Sequence, residues 1–127
     1  MHNRETYEYA IIRLVPKVER QEFINIGVIL FSKKKKYLGI RYEINESKLQ
    51  IFSSDIDKEN LNRYLCAWEL VCRGSLEGGP IAKLDLAFRF RWLVAKRSTI
   101  IQSSATHSGL CEDPEQVLQD LFESFVL

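Results

Sequence analysis

The chain has 127 residues, of which 46% are hydrophobic and 28% are charged, and its formal net charge is +1 at pH 7. This size and composition predict one domain, residues 1–127, and exclude both a wholly disordered chain and a globally basic nucleic-acid-binding protein. The three cysteines have no CxxC spacing, the N-terminus has no signal-peptide core, and no apolar run reaches the about 20 residues of a membrane helix. We therefore expect a cytoplasmic protein with reduced, mostly buried thiols.

The N-terminal third of the chain predicts a three-stranded antiparallel sheet. Residues 7–15 are apolar on both faces of a strand, and residues 23–31 are almost wholly apolar and β-branched, as is typical of a central strand. Asn25 and Gly27 interrupt the second strand, and a glycine there indicates a bulge or a close backbone approach. Four consecutive lysines predict a solvated turn, and residues 37–44 predict a half-exposed third strand.

The middle of the chain predicts helices. Residues 45–52 fit a short helix, and residues 57–73 fit a longer one that is capped by Asp57 and ended by Gly74. Residues 84–94 have the alternation of a strand and also two sets of apolar residues at helical spacing; their length favours a helix. The buried stripe of the longer helix is predicted to contain Leu61, Tyr64, Leu65, Trp68, Val71 and Cys72.

The end of the chain predicts one more strand and a final helix. Residues 98–103 contain a β-branched run, residues 104–112 have the composition of a loop, and Asp113 with the proline after it begins a well-capped helix. The elements together predict an α+β domain. Its small antiparallel sheet, with three N-terminal strands and one late strand, packs against helices 57–73 and 114–126.

Two segments of the chain resemble the signatures of one bacterial family. Residues 22–28, Glu-Phe-Ile-Asn-Ile-Gly-Val, follow a tyrosine-started strand as in the N-terminal signature. The C-terminal signature is matched by residues 89–93 and then by Arg97, Ser98, Thr99, Gln102, His107, Gly109, Leu110, Asp113, Pro114, Leu121 and Phe122. The chain thus resembles domain-of-unknown-function family 3037. It departs from the family at Gln21, where glycine is frequent, and at Lys96, where proline is frequent.

The resemblance implies a protein-binding role rather than a particular enzymatic activity. The family has no established activity, and its members are often encoded beside HipA-like kinase domains. This implies a protein partner, a HipA-like kinase, in a toxin–antitoxin or defence-type module. The charge pattern offers two contact surfaces for such a partner, the lysine turn and the acidic last helix. The acids at the end of the chain are Glu112, Asp113, Glu115, Asp120 and Glu123.

Six polar residues form a candidate pocket if the fold brings them together: Arg97, Ser98, Gln102, His107, Glu22 and Asn25. Histidine side chains act as acids and bases near neutral pH, and arginine with glutamine suits an anion. The structural alternative is that His107 braces its loop through a backbone carbonyl while Glu22 forms an ion pair with Arg13 or Arg97.

A metal site is not predicted. His107, Cys111 and Asp113 supply at most three scattered ligands, whereas structural zinc normally takes four, and we expect no cofactor. Two functions remain open. The leading prediction is a non-enzymatic protein-interaction module. The alternative is a small enzyme or binding domain for a phosphorylated ligand or nucleic acid that uses Arg97, Gln102 and His107.

Overall fold

The structure is a computed structural model that describes residues 3–17, 20–52, 56–97 and 99–127. It confirms an α+β fold with one antiparallel sheet packed against helices. The strands are β1 (Glu5–Leu14), β2 (Ile24–Ser32), β3 (Tyr37–Tyr42), β4 (Ile101–Ser103) and β5 (His107–Cys111). The helices are α1 (Glu46–Phe52), α2 (Lys58–Arg73), α3 (Leu86–Leu93) and α4 (Pro114–Phe125), with 3₁₀ turns at Leu76–Gly78 and Pro80–Lys83.

The sheet is organised around β1. On one side β1 pairs with β2, which pairs in turn with β3. On its other side β1 pairs with two short strands, β4 along its C-terminal end and β5 along its N-terminal half. The late part of the chain therefore contributes two strands to the sheet, where the sequence predicts one.

The prediction of a loop over residues 104–112 is wrong, since this stretch contains β5. The predicted strand 98–103 is also too long among the described residues, because β4 begins at Ile101. Ser104 joins the two short strands: its backbone N–H donates to Ile11 O at 2.8 Å, and its buried hydroxyl accepts the Ile11 N–H at 2.8 Å. The side chain thus completes the ladder where the backbone turns between the strands. Because β5 is a polar edge strand, its sequence has the composition of a loop.

Both predictions for Gly27 are confirmed. In the β1–β2 register Ile12 faces Gly27 and Arg13 faces Asn25, so Ile26 is the extra residue of a bulge. A Cβ atom at Gly27 would lie 2.8 Å from the carbonyl oxygen of Arg41 on β3. The bulge shifts the register by one residue and places Asn25 on the same face of the sheet as Arg13.

The sheet separates two hydrophobic cores. The larger core lies under α1, α2 and α3, and its fully buried members are Ala10, Ile12, Leu14, Ile29, Leu61, Leu65, Phe90 and Leu93. The smaller core, under α4, contains Ile11, Val28, Leu30, Leu118 and Val126. Since α4 packs on β2 and β3, the part of this second face formed by β1, β4 and β5 is more open to solvent. That open region contains several of the predicted site residues.

The helix boundaries follow the sequence closely. Asp57 accepts hydrogen bonds from the second and third N–H groups of α2, and Gly74 ends the helix with a φ of 68°. Asp113 caps α4 in the same way, and residues 84–94 do contain a helix, α3. Tyr64 was predicted to be buried on α2, but 49% of its surface is exposed.

Gln21 adopts a φ of 58°. This left-handed region favours glycine because it brings the Cβ of other residues close to the backbone. The backbone at Gln21 therefore has a conformation that favours glycine over the residue present.

The three cysteines are free; Cys66 is exposed, whereas Cys72 and Cys111 are buried. Burial raises the pKa of the Cys72 thiol to about 12 and also raises the pKa of Cys111. Only the thiolate reacts quickly with a disulfide reagent. At pH 8 we therefore expect a thiol-reactive dye to modify Cys66 quickly and the other two only after denaturation. In Cys66→Ser the fast phase should vanish; fast labelling that persists would contradict the burial of Cys72 and Cys111.

Candidate functional site

The predicted site residues do not form one pocket. Asn25, Gln102 and His107 lie on the sheet face that α4 partly covers, whereas Arg97 lies on the opposite face beside Trp68 of α2. Glu22 is exposed and forms an ion pair with Arg20 at 2.6 Å, so its predicted pairing with Arg13 or Arg97 is wrong. Ser98 lies outside the described residues.

A polar row crosses the more open face of the sheet. Arg13 on β1 faces Asn25 on β2 and Gln102 on β4, and we call these three residues the Arg13 row. The Arg13 guanidinium carbon lies 4.1 Å from the centre of the Phe23 ring. Arg13 Nε and Asn25 Oδ1 are buried without a hydrogen-bond partner, and no carboxylate of the described residues forms an ion pair with Arg13.

Aromatic rings continue this face towards the other end of β1. Tyr9 pairs with His107 of β5, and their ring centres are 5.4 Å apart. The Phe125 ring of α4 stacks on Tyr9 with 6.4 Å between the ring centres, and the Tyr7 ring centre lies 6.2 Å from that of Tyr9. His107 is exposed and lies in β5 rather than in a loop. Among the described residues its ring makes no hydrogen bond to a backbone carbonyl. The predicted bracing role is therefore not found.

Arg97 has a structural role at the end of α3. Its guanidinium donates hydrogen bonds to the carbonyl oxygens of Trp92 and Leu93, the last turn of the helix. The same group lies 4.7 Å from the Trp92 ring centre and 5.9 Å from that of Trp68. Burial lowers the pKa of Arg97 from its usual value. A cation that binds helix-terminal carbonyls is stabilised by the helix dipole, and it fixes where the Trp92 ring lies.

A cavity opens next to Arg97 between α2, α3 and β4. It has a volume of about 310 Å³, and we call it the Trp cavity. Its lining residues include Tyr64, Trp68, Val71, Trp92, Arg97, Thr99 and Ile101. Most of the lining is apolar, as is typical of sites that bind an apolar group.

Beside the Trp cavity, large apolar side chains are exposed along α3. Leu84, just before the helix, and Phe88 and Trp92 on it are spaced four residues apart and are 41%, 51% and 40% exposed. We call this surface the α3 face. The sequence indicates that such a surface exists, because two apolar stripes run along residues 84–94. Only one side of a helix can pack on the sheet, so the other stripe stays exposed. The structure buries the stripe of Phe90 and Leu93 and exposes the other.

Other kinds of site find no support in the described parts of the chain. These ranges contain no group of three or more His, Cys, Asp and Glu residues that could hold a metal ion. None of the helices within them is long and apolar enough to cross a membrane. The α3 face with its cavity lies on one side of the sheet, and the Arg13 row lies on the other.

Comparison with known proteins gives one result. The profile of the family described as "Protein of unknown function (DUF3037)" matches residues 9–126, almost the whole chain. No curated protein and no solved structure matches the chain significantly. The match includes both signatures seen in the sequence, and the chain therefore belongs to the DUF3037 family.

Proposed function

We propose that this protein is a non-enzymatic protein-interaction module whose contact surface is the α3 face together with the Trp cavity. The observation that carries the proposal is the exposure of Phe88 and Trp92 one helical turn apart, where Trp92 also lines an apolar cavity of about 310 Å³. Contiguous exposed apolar surface is uncommon on soluble domains and is typical of surfaces that bind another protein.

The chemistry of this surface suits a protein partner. Tryptophan and tyrosine are over-represented among the residues that dominate binding energy in interfaces, and Trp92 and Tyr64 stand on either side of the cavity. The Arg97 guanidinium packs against the Trp92 ring and restricts its motion, so little side-chain freedom is lost when a partner binds. The cavity has room for an apolar side chain from that partner.

Charge indicates which partner surface is complementary. Of the five basic residues in the stretch 83–97, three are already engaged: Arg89 is buried, Arg91 forms an ion pair with Glu8, and Arg97 binds helix carbonyls. Lys83 and Lys96, at the two ends of α3, are exposed. A partner segment with an apolar anchor and acidic neighbours would therefore match the α3 face. The family resemblance suggests a HipA-like kinase domain as this partner, within a toxin–antitoxin or defence-type system.

The lysine turn and the acidic α4 are also exposed, as the charge pattern predicts. They lack the exposed aromatic pair, and charged rims mainly affect the rate and specificity of association. We assign them this secondary role in partner binding.

The test is co-purification of the untagged native complex, with mass spectrometry of the protein companions. We expect one stoichiometric partner, whose affinity falls about 30-fold or more in Phe88→Ala and in Trp92→Ala, as for interface hot spots. Leu110→Ala is the control, because Leu110 is also a large exposed apolar side chain, 63% exposed, but lies on β5. Absence of a protein companion, or wild-type affinity in Phe88→Ala, would overturn the proposal.

A further inference from the structure

We infer that the free edge of β3 binds an extended segment of a partner polypeptide, which joins the sheet as a further strand and places acidic residues on the lysine turn, residues 33–36. In the described part of the chain, β3 is the outermost strand on its side of the sheet and pairs only with β2. The groove beside it shares no lining residue with the Trp cavity. The two surfaces are therefore separate.

The edge of β3 presents unpaired backbone groups. The Glu43 N–H donates to Ile26 O at 2.9 Å, which extends the β2–β3 register by one pair. Hydrogen-bonded pairs alternate along an antiparallel ladder, so every second residue of β3 directs its N–H and C=O away from β2. These outward residues are Leu38, Ile40 and Tyr42. No hydrogen bond among the described residues uses their backbone groups, which are the donors and acceptors that an added strand needs.

The geometry of this edge is regular. The register between β2 and β3 continues without a shift along the whole of β3, and the strand contains no proline. Sheets commonly protect an exposed edge with a bulge or a proline, and β3 has neither. An extended polypeptide can therefore pair with all the outward groups in succession.

A groove of about 300 Å³ follows the same edge. It is lined by residues 37–41 of β3, by Glu69, Cys72 and Arg73 of α2 and by Glu115 and Leu118 of α4. Because α2 and α4 lie on opposite faces of the sheet, a groove lined by both extends past the edge of β3. Its charged side chains are already paired, Arg73 with Glu69 and Arg41 with Glu115. The middle of the groove therefore suits an uncharged extended chain better than a free ion.

The lysine turn gives the groove one charged end. The turn leads directly into β3, and Lys33, Lys34 and Lys36 are exposed. No ion pair among the described residues involves them. Acidic residues at this end of the added segment would complement the turn. On the face towards the larger core, the side chains of the outward residues of β3 are apolar, so apolar residues of the segment would pair with them there.

The occupant that fits is a single segment rather than the β3 strand of a second copy. Both α2 and α4 pack on β3. Two copies joined through β3 would hold these strands about 4.8 Å apart with a helix on each face of both, whereas packed helices need about 8–10 Å between their axes. An isolated extended segment brings no helices to the edge.

The test is amide hydrogen exchange of the full chain, followed by NMR, with a short blocked probe peptide of alternating valine and threonine that ends in glutamates. In the free protein we expect fast exchange at Leu38, Ile40 and Tyr42 and slow exchange at Gly39 and Arg41, which bond to β2. With the probe in large excess, exchange at the outward amides should slow about tenfold or more, because each N–H then donates to the added strand.

Modified probes separate backbone pairing from other kinds of binding. N-methylation of one alternate set of probe residues removes the donors that face β3, and methylation of the other set removes those that face solvent. We expect the first modified probe to lose binding and the second to retain it. A probe that ends in lysines should bind about threefold or more weakly than the glutamate probe. Lys36→Glu should abolish this preference. Lys17→Glu, an exposed lysine at the opposite end of the sheet, is the matched control and should retain it.

Three results would overturn the inference. The first is unchanged exchange at all the outward amides in the presence of excess probe. The second is equal binding of the two methylated probes. The third is slow exchange at the same amides in concentrated protein without probe, together with a doubled mass in analytical ultracentrifugation, which would assign the edge to a second copy. None of these results bears on the co-purification test of the α3 face, which uses other residues.

Discussion

Phe90→Ala is expected to lower the free energy of unfolding by about 3–5 kcal/mol, the usual cost of removing a buried aromatic ring. Phe90 is completely buried, and its ring stacks on Phe31 of β2 with 5.2 Å between the ring centres. The contact holds α3 to the sheet, so truncation leaves a cavity between helix and strand that the surrounding core closes only in part. Urea denaturation followed by circular dichroism measures the loss.

The control for this variant is two residues away. Phe88→Ala removes the same ring from the same helix, but Phe88 points to solvent, and we expect a change below about 1 kcal/mol. The two variants should then affect different quantities: Phe90→Ala lowers the free energy of unfolding, and Phe88→Ala lowers the affinity for the partner. Equal losses of stability in both would mean that α3 is packed with a different rotation about its axis.

Arg89→Met is expected to lower the free energy of unfolding by about 2–3 kcal/mol, because it removes a charge-assisted donor from buried carbonyls. Arg89 is buried, and its Nη1 donates to the carbonyl oxygens of Val71 at 2.8 Å and Cys72 at 3.1 Å. These belong to the last turn of α2, where positive charge is favoured. The Val71 oxygen also accepts the Gly74 N–H at 3.1 Å, so Arg89 is its second donor. Methionine fills similar volume but offers no donor.

Arg63→Met provides the comparison for Arg89→Met. Arg63 is on the exposed side of α2 and donates only to Asn60 Oδ1, at 3.3 Å, so we expect a change below about 0.5 kcal/mol. Thermal unfolding of the two variants side by side separates the loss of the buried cap from the general loss of an arginine. A stability in Arg89→Met equal to that of Arg63→Met would mean that the α2 carbonyls find another donor.

These two residues explain how α3 serves the proposed function. Arg89 and Phe90 fix the helix to α2 and to the sheet, and Arg97 fixes its last turn. With its inner side held in this way, α3 presents Phe88 and Trp92 outwards at a constant spacing. A rigid display of aromatic side chains reduces the entropy lost on binding a partner.

Only some residues of the polar row on the open sheet face could be predicted from the sequence. The polar residues Asn25, Gln102 and His107 were identified, and the fold does bring them to one face. Their central residue, Arg13, entered the sequence reasoning only as a partner for Glu22. Its position between Asn25 and Gln102 follows from the bulge at Gly27 and from the pairing of β1 with β4. Neither local propensity nor periodicity reports such long-range pairings.

The fold class and the ends of the long helices can be read from the sequence alone. Asp57, Gly74 and Asp113 act on backbone groups within a few residues of themselves, so their effect is visible in the local sequence. Tertiary structure alone decided which apolar stripe of α3 is buried, and it made a strand of the polar segment His107–Cys111. Both outcomes depend on a surface supplied by distant residues: the sheet can cover one side of α3, and the free edge of β1 offers hydrogen bonds to any segment that reaches it.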